Sequence, residues 1–462
     1  MKVKKLNKKI LIFGLGISGI SIARFLKNRV KNLFCWDDKL DARKKATKFG
    51  LNLKPINDLD FKSLDYLVLS PGINHKLNLP HLVVSKALKQ KASIITDLEF
   101  LNILDIRNLL IGVTGTNGKS TTTKFIEECL TNSKEKCIAC GNIGIPLGDI
   151  ANNLSINSRL AIEISSFQLD KIKKLKFQIS ILLNLSKDHI DWHGSWKEYV
   201  KSKLRIFKNQ DKKCYAIICI DDKNCQQITE TFNENFKSKL IRISTQKKIN
   251  DGIYLKEKND NLIIVNNLDN SKIQLEKTKL KFTNVKHNYQ NLLASYACQF
   301  LLKKNNHHFL KKVYKLKNPE HRLEFVTKVK NISIFNDSKS TNINSAKNAI
   351  KSFNNIYWIL GGRKKEGGIN EIKSNLKKIV RAYTFGESGE EFYNFLKNKK
   401  IKSYRFTNLE SALEKALEHG FKEKIEITIL FSPACSSFDQ FKNFEQRGKN
   451  FKNHLKKILR NE

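Results

Sequence analysis

The segment Ile111–Thr123, IGVTGTNGKSTTT, constrains this chain more than any other. An apolar strand turns into a helix through a glycine loop that ends in Lys119-Ser120, an order that belongs to a parallel α/β sheet. Backbone N–H groups of such a loop and of the helix N-terminus converge on one point, where anionic oxygens are stabilised. Lys119 adds a point charge there, and the Ser120 hydroxyl is placed to ligate Mg²⁺. The usual phosphate loop has a glycine five residues before its second glycine, but here that position is Val113, so the loop is the shorter G-T-N-G-K-S form. A chance glycine turn is the competing reading. Strand, glycines, Lys-Ser pair and threonine-rich first turn all argue against it. Gly115, Thr116, Asn117, Gly118, Lys119, Ser120 and Thr121 are therefore the candidate phosphate-binding residues.

At 462 residues the chain is too long for one hydrophobic core. Its net charge of +41, from 85 Lys+Arg against 44 Asp+Glu, would ordinarily suggest nucleic acid. The lysines are spread over the whole length, however, with no arginine-rich tail and no aromatic-basic repeat, which reads as compositional bias. Nine cysteines in a chain of this size do not make a disulfide framework and suit a reducing compartment. Cys137-Ile-Ala-Cys140 lacks a second pair at zinc spacing and sits in strand-like flanks, so core packing is the expectation. The start, MKVKKLNKKILIFGLGISGI, has a basic stretch and an apolar run like a signal peptide. Arg24 and Lys27 interrupt it and no cleavage-type sequence follows. No run reaches the roughly 18 apolar residues of a membrane span. A cytoplasmic protein without membrane insertion is expected.

The glycines of that start fit a second phosphate motif, Gly14-x-Gly16-x-x-Gly19, placed after a strand and opening a helix. Such glycines permit a tight turn and close approach of a diphosphate to the helix N-terminus. Asp37 and Asp38 end the next strand, roughly 20 residues on, where an acid meets a ribose or base. A further strand ends in Ser70-Pro71-Gly72. Residues 1–107 thus read as a small α/β domain for a nucleotide diphosphate.

After the phosphate loop, strands and helices keep alternating, which predicts a mostly parallel, doubly wound sheet over residues 108–317. Glu163 ends one strand and His189 follows another, so both belong at the carboxyl edge where ligands bind in such sheets. A histidine in that position is often structural; Asp188, Asp191 and Glu163 nearby favour a metal site. Residues 248–281 read as an antiparallel accessory element, and a long helix from Asn288 closes the domain. The third unit, 318–462, offers a hairpin, KVKNISIFNDSKSTN, then strands ending in GGRKKEGG and in SPACSSFDQFKNFEQRG. Its functional loops should again share one sheet edge.

Taken in order, GLGISG, SPGI, TGTNGKST, GNIG, EISSFQL, KDHIDWH, KLRIF, HNYQN, HRLE, NDSKSTN, GGRKKEGG and SPACSSFDQFKNFEQRG resemble the Mur ligase family over the whole chain. The last string is similar to the D-glutamate-adding branch. The resemblance implies a three-domain α/β enzyme: an N-terminal Rossmann-like sheet for the UDP substrate, a central P-loop-type ATPase sheet and a C-terminal Rossmann-like domain. It implies ATP-dependent addition of D-glutamate to UDP-N-acetylmuramoyl-L-alanine through an acyl phosphate, by a monomer that binds no nucleic acid.

By motif position, the resemblance assigns Lys119 to the β- and γ-phosphates, and Ser120 and Glu163 to one of two Mg²⁺ ions. Asn142 and His189 position the second ion and the substrate carboxylate. Lys203, in KSKLRIF, matches a lysine that this family carbamylates, turning a cation into an oxygen donor for the second ion; a plain surface lysine is the alternative. Arg322, Asp337, Asn288 and Asn291 would serve the nucleotide. Leu15, Gly16, Ser18, Gly19, Asp37, Gly72 and Ser165, with Asn142, would hold the UDP substrate. Lys365, Ser437 and Thr341 resemble the D-glutamate carboxylate set, with Lys339, Phe438 and Phe444 shaping the pocket. GGRKKEGG leaves Lys364 and Lys365 both open. A dinucleotide oxidoreductase would leave the Lys119 loop unused, and a nucleic-acid-binding ATPase lacks a recognition motif.

Overall fold

The computed structural model describes residues 6–460 except 77–79, 143, 283–285 and 365–368. Three sheets follow one another along the chain. They fall into two compact units, Met1–Lys279 with His287–Tyr314, and Leu280–Lys286 with Lys315–Glu462.

The first sheet holds β1 (Leu6–Phe13), β2 (Val30–Trp36), β3 (Tyr66–Leu69) and β4 (Ser93–Ile95), all parallel in the order β2-β1-β3-β4. A parallel sheet covered on both faces needs continuous apolar strands. Ile10, Leu11, Ile12 and Phe13 are accordingly all buried. The helix Ile17–Leu26 follows β1 at once. Gly19 is required there because a Cβ would stand 2.0 Å from the Gly14 carbonyl oxygen, so the helix packs this close to the turn only without a side chain.

The second sheet contains β5 (Leu109–Thr114), β6 (Cys137–Gly141), β7 (Arg159–Glu163), β8 (Ile179–Leu182), β9 (Tyr215–Cys219), β10 (Lys239–Ser244), β11 (Gly252–Lys258), β12 (Asn261–Asn266) and β13 (Ser271–Glu276). Its order is β13-β12-β11-β10-β9-β8-β5-β7-β6. From β6 to β11 the pairing is parallel; β11-β12 and β12-β13 are antiparallel. The accessory element expected over 248–281 is therefore an extension of the central sheet. All nine cysteines are free and buried, Cys137 and Cys140 among them on β6, in agreement with a packing role. Among the described residues no helix is long and apolar enough to cross a membrane.

In the second compact unit, β14 (Glu324–Val329), β15 (Ile332–Asn336), β16 (Ile356–Gly361), β17 (Ile379–Phe385), β18 (Lys402–Arg405) and β19 (Ile427–Phe431) pair in the order β14-β15-β19-β16-β17-β18. Only the expected hairpin, β14 with β15, is antiparallel.

Candidate active site

The loop after β5 turns into the helix Lys119–Leu130 through Gly118, whose φ of 85° is left-handed. Its neighbour is Asn291: a Cβ on Gly118 would lie 2.6 Å from Asn291 Oδ1. That oxygen already accepts from Thr122 Oγ1 at 2.9 Å, and the Asn291 amide donates to Asn288 Oδ1 at 3.1 Å. Both asparagines are buried and form the wall behind the loop. The front of the loop is fixed as well. Asn117 N–H donates to Asn184 Oδ1 at 2.8 Å, and Thr116 Oγ1 and Tyr199 OH share a hydrogen bond of 2.8 Å. Lys119 Nζ folds back onto the Gly115 and Thr116 carbonyls at 2.9 and 2.8 Å, over the mouth of the cradle. Thr121 is buried in the first helical turn.

Three buried groups surround this loop. Ser120 Oγ has no hydrogen-bond partner, nor has Glu163 Oε2, and both atoms are buried. Glu163 Oε1 accepts from Asn142 Nδ2 at 3.2 Å, so one carboxylate oxygen is held and the other is left. Leaving such oxygens without a partner costs about 1–3 kcal/mol each, and a hard cation takes up such oxygens without needing a full protein cage. The residues present thus fit a magnesium ion with one hydroxyl and one carboxylate ligand. Among the described residues no group of three or more His, Cys, Asp or Glu side chains could hold a metal. Asp188 and Asp191 therefore do not complete an all-protein site with His189.

Lys203 is the third buried group, only 2 % exposed, on the helix Trp196–Lys208. Its Nζ donates to the Gly115 carbonyl at 2.8 Å and lies 4.9 Å from the centre of the Tyr199 ring. Burial, with help from the Lys119 charge, pushes its amine well below the usual lysine range. His189 has a left-handed φ of 52° and its ring lies 4.7 Å from that of Phe167. Burial and the Lys119 and Lys203 charges lower its pKa against the opposing pull of Asp188, so the imidazole is favoured in its neutral form. Ser165 caps the helix Ser166–Leu169 in a reciprocal capping box with Gln168.

A cavity of about 890 Å³ opens at the carboxyl edge of the first sheet, lined by Leu15, Gly16, Asp37, Ser70, Gly72 and Ile73 among others. Asp37 accepts from Leu15 N–H at 2.6 Å and from Lys39 N–H at 2.8 Å. Its carboxylate thus organises the glycine loop as well as facing the cavity. Ser18 and Gly19 lie in the first turn of the adjoining helix.

In the second compact unit, Asp337 is buried and accepts from Leu323 N–H at 3.1 Å and from Ser432 Oγ at 2.8 Å. Burial pushes its carboxyl up to about 7, opposed by these bonds and by the Arg322 charge. Lys339 Nζ stands 3.6 Å over the Phe444 ring. Ser437 is buried, Thr341 half-buried and Phe438 exposed. Lys365 lies outside the described residues; Lys364 pairs with Glu391 at 2.5 Å. Sequence reasoning overlooked Arg447, which is fully buried and donates to Ser338 Oγ, Ser338 O and Cys435 O at 3.1, 2.8 and 3.0 Å. It joins the loop bearing Lys339 to the loop bearing Ser437. An arginine on an otherwise polar helix start carries no periodic signal that would reveal this role.

Three family models match the chain in succession: Mur ligase MurD-like, N-terminal domain, over residues 8–96; Mur ligase middle domain over 113–299; and Mur ligase, glutamate ligase domain, over 321–435. The chain is 37% identical over 449 residues to the UDP-N-acetylmuramoylalanine--D-glutamate ligase of Rickettsia prowazekii (strain Madrid E), covering 96% of this chain and 97% of that one. It is 33% identical over 501 residues to the ligase of the same name from Wolbachia sp. subsp. Brugia malayi (strain TRS), covering 98% and 97%. Among solved structures, the UDP-N-acetylmuramate-alanine ligase MurC of Thermotoga maritima shares the fold with a TM-score of 0.60 at 16% identity, covering 97% of this chain and 99% of that one. The MurF ligase of Thermotoga maritima in complex with ADP does so with a TM-score of 0.59 at 17% identity, covering 87% and 97%. The three matched domains and the full-length relatives define an α/β ligase. The chain belongs to the Mur ligase family.

Proposed function

We propose that this chain is an ATP-dependent, ADP-forming ligase that joins D-glutamate to UDP-N-acetylmuramoyl-L-alanine in the cytoplasm, as a monomer, during synthesis of peptidoglycan precursors. One observation carries the chemistry. A rigid anion-cradling loop with Lys119 lies beside two buried, unpartnered oxygens, Ser120 Oγ and Glu163 Oε2. The substrate pair rests on the names of the full-length relatives.

The energetic problem is charge: a carboxylate must approach a triphosphate. Loop N–H groups and Lys119 hold the β- and γ-phosphates. The substrate carboxylate then attacks the γ-phosphorus, the bond to the ADP oxygen breaks, and an acyl phosphate forms. The neutral amine of D-glutamate attacks the acyl carbon, the C–O bond to phosphate breaks, and the nitrogen gives up a proton as the amide forms. Magnesium held by Ser120 and Glu163, with a second ion near His189, would neutralise charge on the phosphate oxygens. The buried Lys203 amine is held toward its neutral, nucleophilic form, which suits capture of CO₂ with release of a proton. A carbamate at Lys203 would offer anionic oxygen to the second ion. Domains 1–107, 108–317 and 318–462 divide the work. The UDP end lies along the Gly14–Gly19 loop, Asp37 and Gly72, while Asn142 and Ser165 take the muramoyl end. Asn288, Asn291, Arg322 and Asp337 serve ATP, and Lys339, Thr341, Lys365, Ser437, Phe438 and Phe444 serve D-glutamate.

ADP release with UDP-N-acetylmuramoyl-L-alanine and ATP, compared across D-glutamate, L-glutamate, L-alanine and diaminopimelate, tests this. Turnover confined to D-glutamate is expected. Equal turnover with another amino acid would reassign the chain within the family.

A further inference from the structure

The loop that closes the 890 Å³ cavity does not end there. It runs from Ser70 through Gly72 and Ile73, which line the cavity, to His75 and Lys76, and these two reach into the central domain. Lys76 Nζ donates to Asp170 Oδ1 at 2.7 Å, and His75 Nε2 lies 3.5 Å from Asp170 Oδ2. Asn74 Nδ2 adds a bond of 3.0 Å to the Trp192 carbonyl. Asp170 is buried, its side chain only 4% exposed, and its Oδ1 also accepts from Ser202 Oγ at 3.2 Å. Ser202 in turn meets His193 Nδ1 at 3.3 Å, and His193 Nε2 meets Ser166 Oγ at 3.0 Å.

The two ends of this chain of bonds matter. Ser202 precedes Lys203 on the helix Trp196–Lys208, and Ser166 follows Ser165, which the ligase reading assigns to the substrate, at the start of the helix Ser166–Leu169. Successive helical residues point about 100° apart. Lys203 anchors its helix to the phosphate loop through Gly115, while Ser202 anchors the same helix to Asp170. Two bonds in different directions fix the rotation of the helix about its axis, which one bond cannot do. A carboxylate this buried keeps its charge chiefly through its bond to Lys76, with His75, Arg205 and the Ser202 hydroxyl adding to it. Loss of Lys76 therefore disturbs Asp170, and through it the helix that carries Lys203.

We propose that Asp170 is a positioning residue, paired with Lys76, which ties the UDP-pocket loop to the Lys203 helix, so that binding energy from the UDP end is used to align the reacting end. This rests on the ligase reading above. It makes the remote part of the substrate contribute to turnover, as binding energy from non-reacting groups does in enzymes generally.

Kinetics of Lys76→Met, Asp170→Asn and the double variant, with UDP-N-acetylmuramoyl-L-alanine and with N-acetylmuramoyl-L-alanine lacking UDP, test the proposal. The wild-type enzyme must first turn over the full substrate with D-glutamate; failure there overturns the ligase reading and this proposal with it, whereas normal wild-type turnover with unaffected variants overturns this proposal alone. Lys76 is partly exposed, so its variant should fold, as a thermal melt will verify. Each single variant is expected to lose about 10-fold or more in kcat with the full substrate while KM for ATP stays within twofold. The double variant should be no worse than the poorer single one, because both remove the same link. The rate advantage of the full substrate over the truncated one should shrink in every variant, and Lys76→Arg should restore it. Multiplicative losses in the double variant, an undiminished advantage of the UDP group, or wild-type turnover in Lys76→Met would each overturn the proposal.

Discussion

Replacing Gly118 by alanine tests whether the phosphate loop is held as rigidly as its contacts imply. The backbone there has φ 85°, which costs a residue with a Cβ about 1–2 kcal/mol. The new methyl would also stand 2.6 Å from Asn291 Oδ1 and 3.3 Å from Leu183 Cδ1. Asn291 has no easy retreat, since its oxygen accepts from Thr122 and its amide donates to Asn288 in a buried setting. Displacing it breaks a buried hydrogen bond at about 1–3 kcal/mol. The sum is roughly 2–5 kcal/mol, equivalent to a fall of about 5–15 °C in the melting temperature of a domain this size. KM for ATP should rise at least about 10-fold, because a displaced loop no longer presents its N–H groups together. Calorimetry and ADP release read the two effects. Adding Asn291→Ala removes the overlap, so the double variant should be more stable than the sum of the single losses by about 1–2 kcal/mol. A Gly118→Ala protein that melts within a degree of wild type with an unchanged KM for ATP, or strict additivity in the cycle, would refute the reasoning.

Lys119→Ala should lower turnover by about 10²–10³, as loss of one fixed charge at a developing phosphoryl charge does; near-normal ADP release would place ATP elsewhere. Lys203→Ala should abolish most activity while the fold persists, with formate or acetate restoring part of it, and full activity without additive would remove the carbamate. Asp337 bears on pH. Its folded pKa of about 7 lies above the ordinary 3.8, so the folded state holds a proton that the unfolded chain has lost between those values. Stability from this group is therefore present below about pH 4 and lost as pH rises toward 7, by up to about 4 kcal/mol. The difference in unfolding free energy between wild type and Asp337→Asn should fall across that window, and a flat difference would contradict the burial argument.

The phosphate loop, the Gly14–Gly19 motif and the alternation of strand and helix were legible because each rests on local chemistry: glycine turns, helix starts and apolar strands. The hairpin of β14 and β15 and the packing role of Cys137 and Cys140 followed for the same reason. What the sequence concealed is contact between distant positions. Asn291 reads as a polar residue on a helix, yet it braces Gly118 from 173 positions away, and no spacing announces it. Asp170 follows a short motif with nothing to mark it as the partner of Lys76, because that pair forms only when the first two sheets pack. Asp337 reads as a loop acid, whereas its burial depends on Leu323 and Ser432 arriving from either side. Lys203 stood out by its local string, but its burial and its bond to Gly115 come from the helix lying across the loop.

In the proposed reaction the substrate carboxylate attacks ATP and leaves its oxygen on the phosphate. UDP-N-acetylmuramoyl-L-alanine labelled with ¹⁸O in its carboxylate, turned over with ATP and D-glutamate, tests this directly. One labelled oxygen is expected in the inorganic phosphate for each amide formed, with ADP as the other product. Unlabelled phosphate, or label recovered in AMP, would contradict it.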